Sequence, residues 1–190
     1  MKLVLASGSP RRRALLGELG YEVSYTSLNV DEHLSSPLPA AQVAEHLACR
    51  KAAAFPIDTL DEDSVLVTAD TVVVLDGRIL GKPADRDEAT QMLHSLSGRS
   101  HTVYTGVCLR SRQQQTAFTE STEVHFRQLE DTEIAYYIDH YHPFDKAGAY
   151  GIQEWIGMVG IERIEGCFYN VMGLPVSRLY RTLRERFESR

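Results

Sequence analysis

The chain has 190 residues, 43% of them hydrophobic and 24% charged, with a net charge of −6; this suffices for one substantial core and predicts a single domain spanning 1–190. An acidic balance argues against general nucleic-acid binding, which needs surplus Lys and Arg to displace counterions. No stretch approaches the ~20 apolar residues that cross a bilayer, so no membrane association is expected. Cys49, Cys108 and Cys167 are odd in number and lack metal or C-x-x-C spacing; with no signal core at the N-terminus they read as reduced, buried thiols of a cytoplasmic protein.

The first strand, around Leu3–Ala6, runs into Ser7-Gly8-Ser9 and a helix whose first position is Pro10, where a missing N–H costs nothing. Ser9 is placed to cap that helix, and Arg11, Arg12 and Arg13 follow at once. Cations at a helix N-terminus oppose the macrodipole, so a bound phosphate is the natural reason for them, although solvated arginines on an ordinary strand-turn-helix remain the alternative. The loop has neither P-loop nor G-x-G-x-x-G spacing.

Tyr21–Ser27 reads as a short strand and Asn29–Pro39 as a polar loop. Ala40 to about Phe55 reads as a helix with Ala41, Ala44, Leu47, Ala48 and Ala52 at helical spacing. Val65–Leu75 is rich in β-branched residues and meets Asp76-Gly77, a strong hairpin signal, with Ile79 and Leu80 returning. Asp85 caps a predicted helix from Arg86 to Leu96 that stops at Gly98. Two strands, His101–Arg112 and Thr116–Arg127, are joined by a glutamine turn. A helix from Asp131 to about His140, a Gly- and aromatic-rich loop from Tyr141 to Gly151, a strand around Met158–Ile164 and a helix from Pro175 to Phe187 complete the chain.

A two-residue hairpin loop pairs Leu75 with Arg78 and, extended, sets Thr71 opposite Lys82; a slip of one residue moves Lys82 to the face of Asp70. Asp70 sits inside an apolar run, where an unpartnered carboxylate is costly. Either a structural Asp70–Lys82 ion pair or a metal held by Asp70 with Glu32 or Asp31 relieves that cost. Lys51 and Lys82 taken singly read as surface charges. Gln153, in a Gly-framed loop, has the hydrogen-bonding sites to read a base edge or to satisfy loop backbone. The histidines 94, 101, 125, 140 and 142 form no ligand or nucleophile pattern. Trp155, Tyr136, Tyr137, Tyr141 and Phe144 are spaced for packing or a dimer contact more than for stacking a base.

Several segments together, Ala6-Ser7-Gly8-Ser9-Pro10-Arg11-Arg12, Ala69-Asp70-Thr71-Val72-Val73, Gly81-Lys82-Pro83, Leu96-Ser97-Gly98, Asp145 through Gln153, and Gly173-Leu174-Pro175, resemble the Maf family of nucleotide pyrophosphatases. The resemblance implies an α/β fold, a curved mixed β-sheet flanked by helices with two lobes around a cleft, similar to that of ITPases, often as a homodimer. It implies cleavage of a nucleoside triphosphate between the α and β phosphates with a divalent cation, Mg²⁺ or Mn²⁺. By the same resemblance Asp70 is the proton acceptor; Arg11, Thr71 and Gln153 bear on specificity; and Ser9, Arg12, Glu32, Lys51 and Lys82 bind phosphates or metal, Glu32 and Asp70 being the metal candidates. The loop 145–153 is similar to that of the branch acting on dTTP and UTP. The other readings are a pyrophosphatase for 7-methyl-GTP or another modified nucleotide, and a non-catalytic nucleotide-binding regulator of cell division.

Overall fold

The computed structural model describes residues 1–31, 33–34 and 36–188. Seven strands, β1 (Lys2–Ala6), β2 (Glu22–Thr26), β3 (Ser64–Leu75), β4 (Arg78–Leu80), β5 (Ser100–Arg110), β6 (Gln115–Phe126) and β7 (Ile161–Glu165), form a mixed sheet. Their order is β2-β1-β3-β5-β6-β7, with β4 on β3. The helices are α1 (Pro10–Gly17), α2 (Ala40–Ala54), α3 (Arg86–Leu96), α4 (Asp131–Tyr141), α5 (Trp155–Gly160), α6 (Phe168–Met172) and α7 (Val176–Arg186). Among the described residues no helix is long and apolar enough to cross a membrane.

The chain divides into two compact units, the first comprising Met1–Asp70, Thr105–Glu120 and Gly173–Arg190, the second Thr71–Tyr104 and Ser121–Met172. Each has its own core. In the first, β1 lies parallel to both β2 and β3, and Leu3, Leu5, Val65, Val67, Val107, Leu109, Leu179 and Leu183 are buried together. Parallel strands need helical crossovers, which α1 and α2 supply. A Cβ on Gly106 would lie 2.2 Å from the backbone N of Glu45, so α2 packs on β5 at a distance only glycine permits. In the second unit Leu93 and Leu96 of α3 and Ile134, Tyr137 and Ile138 of α4 pack with Val73, Val103 and Phe126.

Local signals account for most boundaries. Ser9 accepts the Arg12 backbone N–H at 3.4 Å with Pro10 at the first helical position. Asp85 accepts from the Glu88 N–H at 2.9 Å, and Gly98 leaves α3 at φ +67°. Asp76 and Gly77 both take positive φ, 51° and 75°, and pair Leu75 with Arg78, as the mirror-image two-residue turn requires.

Two expectations are corrected. Met158–Gly160 belongs to helix α5, and the strand begins only at Ile161. The run Ile156-Gly-Met-Val-Gly reads as strand by its apolar density. Yet Ile156 is fully buried while Met158 is 72% exposed, and the Gly157 and Met158 N–H groups both donate to the Glu154 carbonyl. Helix α6 carries no cap signal and was not expected; Asn170 anchors it by donating to the Val103 carbonyl at 3.1 Å and to Thr122 Oγ1 at 3.0 Å. Of the cysteines only Cys108 is buried; Cys49 and Cys167 are partly exposed.

Candidate active site

In the first unit two features lie just past the carboxyl end of the parallel β1–β3 ladder, the side on which open α/β sheets place ligands. Leu5 pairs with Val67, so the Ser7-Gly8-Ser9 turn that leaves β1 and Asp70 at the end of the first unit's share of β3 emerge at one edge. The Ser7 N–H is held by the Thr26 carbonyl at 3.0 Å, and its Oγ accepts the Ser9 N–H at 3.2 Å. The turn thus presents the capped start of α1, with Arg11 half-buried beside it.

The arginines after Arg11 also tie the turn to its surroundings. Arg12 donates Nε–H to the Gly173 carbonyl at 2.8 Å, tying α1 to the segment before α7. Arg13 turns back, donating Nε–H to the Ser7 carbonyl at 3.2 Å and lying over the Tyr25 ring at 5.6 Å. It braces the turn from behind.

Asp70 is 9% exposed, and its Oδ1 meets Lys51 Nζ at 2.5 Å. Their side chains retain 12% and 15% exposure respectively. The partner of Asp70 within the first unit is therefore Lys51, from the last turn of α2, a pairing the sequence did not suggest. The β3–β4 ladder stops at Leu80 and the Gly81 carbonyl accepts the Gly148 N–H at 3.0 Å, leaving Lys82 exposed beyond the ladder. Glu32 lies outside the described residues. Asp31 is exposed and its Oδ1 accepts the His33 N–H at 2.9 Å.

In the second unit Thr71 follows directly on Asp70, half-buried, in the same strand. Gln153 projects from a loop fixed by groups to which no sequence motif points. Lys146, 7% exposed, bridges Asp145 at 2.7 Å and Glu154 at 3.2 Å. Glu154 in turn accepts the Tyr137 hydroxyl, and that hydroxyl accepts the Gly151 N–H at 2.9 Å. Burial first, and Glu154 second, push the Tyr137 phenol well above its ordinary range, so it stays a neutral donor. A Cβ on Gly151 would lie 2.9 Å from both Gln153 Nε2 and Glu154 Cδ, which keeps this position open for the amide. Gln153 Oε1 is buried, and among the described residues no hydrogen-bond donor meets it. A buried acceptor without a donor is costly, so this oxygen suits a ligand N–H. Lys146 and Glu154 stand as ordinary charges in the sequence; their opposite signs eight residues apart in a Gly-rich loop were the one usable hint.

Several aromatic side chains pack on one another: Tyr136 meets Trp155 at 4.8 Å and Tyr137 stacks on Tyr141 at 5.2 Å. His101 is buried against Tyr150 and Phe126, its Nε2 2.7 Å from the Tyr150 hydroxyl. Among the described residues no three His, Cys, Asp or Glu side chains gather as a metal cage. The donor set does fit a cation that shares its coordination with substrate oxygens, since Mg²⁺ commonly uses one or two carboxylates plus phosphates. Asp70 Oδ2 is not part of the contact with Lys51, which uses Oδ1.

The sequence matches the family described as "Maf-like protein" over residues 2–186. A curated relative from Bacteroides fragilis is 49% identical over 97% of this chain and 95% of its own length. Relatives from Phocaeicola vulgatus and Porphyromonas gingivalis are each 50% identical, over 97% and 99% of this chain and 95% and 96% of theirs. All three are named dTTP/UTP pyrophosphatase.

Proposed function

Since the chain belongs to the Maf family, we propose that it hydrolyses dTTP and UTP to the nucleoside monophosphate and pyrophosphate, a reading carried chiefly by the buried Lys51–Asp70 pair beside the arginine turn. Hydrolysis at the α-phosphorus needs a positioned water, neutralised phosphate charge and a stabilised leaving group. Ser9, Arg11 and Arg12 at the start of α1 bind phosphate oxygens, and Lys82, exposed in the second unit, is a further phosphate-binding cation. Asp70 orients the water and accepts its proton as the α-phosphorus–oxygen bond forms and the α–β bridging bond breaks, releasing pyrophosphate. Lys51 holds the Asp70 side chain in one rotamer.

A divalent cation, Mg²⁺ or Mn²⁺, would be held by Asp70 and Glu32 together with the triphosphate, and would neutralise phosphate charge and acidify the water. Base preference falls to Gln153. Among the described residues its buried Oε1 meets no donor, and thymine and uracil both present an N3–H flanked by carbonyl oxygens, which the amide matches as acceptor and donor. Thr71 adds a hydroxyl to the same task. The enzyme acts in the cytoplasm, as a homodimer, in keeping with the family it resembles.

The test is pyrophosphate release from a panel of canonical and modified nucleoside triphosphates with Mg²⁺, Mn²⁺ or chelator. Turnover concentrated on dTTP and UTP and abolished by chelator is expected. Equal turnover of purine nucleotides overturns the base assignment, and saturable binding without turnover overturns the enzyme.

A further inference from the structure

Helix α2 and strand β5, both in the first unit, run in step. Gly106 abuts the backbone of Ala44 and Glu45. Two residues on, Thr68 Oγ1 donates to the Ala48 carbonyl at 2.7 Å and reaches the Cys108 carbonyl at 3.4 Å. Two further on, Arg110 donates to the Ala52 carbonyl at 3.0 Å. Two strand residues advance ~6.6 Å and four helical residues ~6 Å, so each step along β5 meets one helical turn. Alternation places the Cys108 side chain on the face that Gly106 turns to α2, and Cys49 follows Ala48.

Cys108 is buried in one apolar cluster and Cys49 packs against the same cluster. The neighbouring thiol draws Cys49 below the ordinary range and, with burial, pushes Cys108 up. Cys49 is partly exposed, whereas Cys108 is wholly buried. One thiol can therefore meet a small oxidant while the other waits behind it, an arrangement the wide sequence separation conceals.

We propose that Cys49 and Cys108 form an oxidative modification site, at which a hydroperoxide converts the two thiols into an intramolecular disulfide joining α2 to β5. The Cys49 thiolate attacks one peroxide oxygen; the O–O bond breaks, giving a sulfenic acid and hydroxide. Cys108 sulfur then attacks the sulfenyl sulfur. The S–S bond forms, the S–O bond breaks, and the hydroxide leaves as water with the Cys108 proton. Two thiols are oxidised and one hydrogen peroxide is reduced to two waters; a dithiol reverses the bond by exchange.

The bond draws the sulfurs to ~2.05 Å, while Gly106 leaves α2 no room to approach β5 at its other end. The carboxyl half of α2 must turn instead, and Lys51 stands two residues from Cys49. If Asp70 acts as read above, on which this consequence rests, the disulfide slows turnover by about tenfold or more, since a misplacement near 1 Å can cost ~hundredfold.

Full-length protein treated with hydrogen peroxide is alkylated, weighed and mapped by proteolysis. The expected product has lost two hydrogens, carries one cross-link joining the Cys49 and Cys108 peptides, keeps Cys167 alkylated, and recovers both thiols and turnover with dithiothreitol. Cys49→Ala blocks the cross-link and the loss of turnover; Cys108→Ala accumulates a Cys49 sulfenic acid trapped by dimedone. Oxidation confined to Cys167, cross-linking between chains, or oxygen addition at Cys49 of the unaltered protein without a cross-link overturns the site. A cross-link with unchanged turnover overturns the coupling to Lys51. The mapping does not use activity, so an inactive protein that cross-links counts against the pyrophosphatase reading alone, and an active one that does not counts against this site alone.

Discussion

Replacing Lys51 by Met keeps the aliphatic stem and removes the ammonium from Asp70, with which it stands at 2.5 Å. At an effective dielectric near 20, two unit charges that close attract by about 6–7 kcal/mol, much of it offset by the desolvation of both groups. Losing one partner of such a pair costs about 3–5 kcal/mol, because the remaining charge stays buried. Side-chain exposures of 15% and 12% admit some water, which places the expected loss at the lower end, about 3 kcal/mol. For a chain of this size that corresponds to a fall of roughly 6–12 °C in thermal midpoint. The double variant Lys51→Met/Asp70→Asn, which leaves neither charge behind, should regain at least ~1.5 kcal/mol of the sum of the single losses. Circular dichroism melts and urea titrations of the four proteins measure the cycle. A Lys51→Met midpoint within ~2 °C of the parent, or strictly additive losses, would refute the buried pair as a coupled unit.

Asp70→Asn should lower pyrophosphate release by about a thousandfold or more while a fluorescent nucleotide still binds within a few-fold of the parent; undiminished turnover would remove Asp70 from the chemistry. Gln153→Ala should bring the kcat/KM values for dTTP and for purine nucleotides together by about tenfold or more, with the maximal rate changed less; an equal loss on every nucleotide would show that the amide supports the loop and reads no base. His101, 3% exposed, has its pKa lowered from 6.5 to about 4 by burial and secondarily by His125. Between these values the unfolded chain binds the extra proton, so stability is complete above pH 6.5 and declines as pH falls towards 4, by about 3 kcal/mol in all. Urea midpoints measured from pH 7 down to pH 4 for the parent and for His101→Phe test this; parallel curves would contradict it.

The amino-acid sequence alone determined the features that depend on neighbours along the chain. Ser9 and Pro10 start α1, Asp85 and Gly98 bound α3, and Asp76-Gly77 closes the β3–β4 hairpin, because caps and mirror-image turns are settled within four residues. The same locality explains why Asp70 and Gln153 stood out, one as a charge in an apolar run and the other as an amide among glycines. Partnership is a different matter. Asp70 meets Lys51 because Asp70 ends the first unit's share of β3 and α2 delivers its last turn there, while the β3–β4 ladder ends at Leu80, before Lys82. Arg12 is drawn to the Gly173 carbonyl across 161 positions, and Lys146, Glu154 and Tyr137 become the frame of Gln153 only once α4 packs against the loop. Cys49 and Cys108 come to one apolar cluster only because Gly106 lets a helix rest on a strand. Such pairings follow from strand order and from the distance at which a helix packs on the sheet, quantities that no short stretch of residues carries.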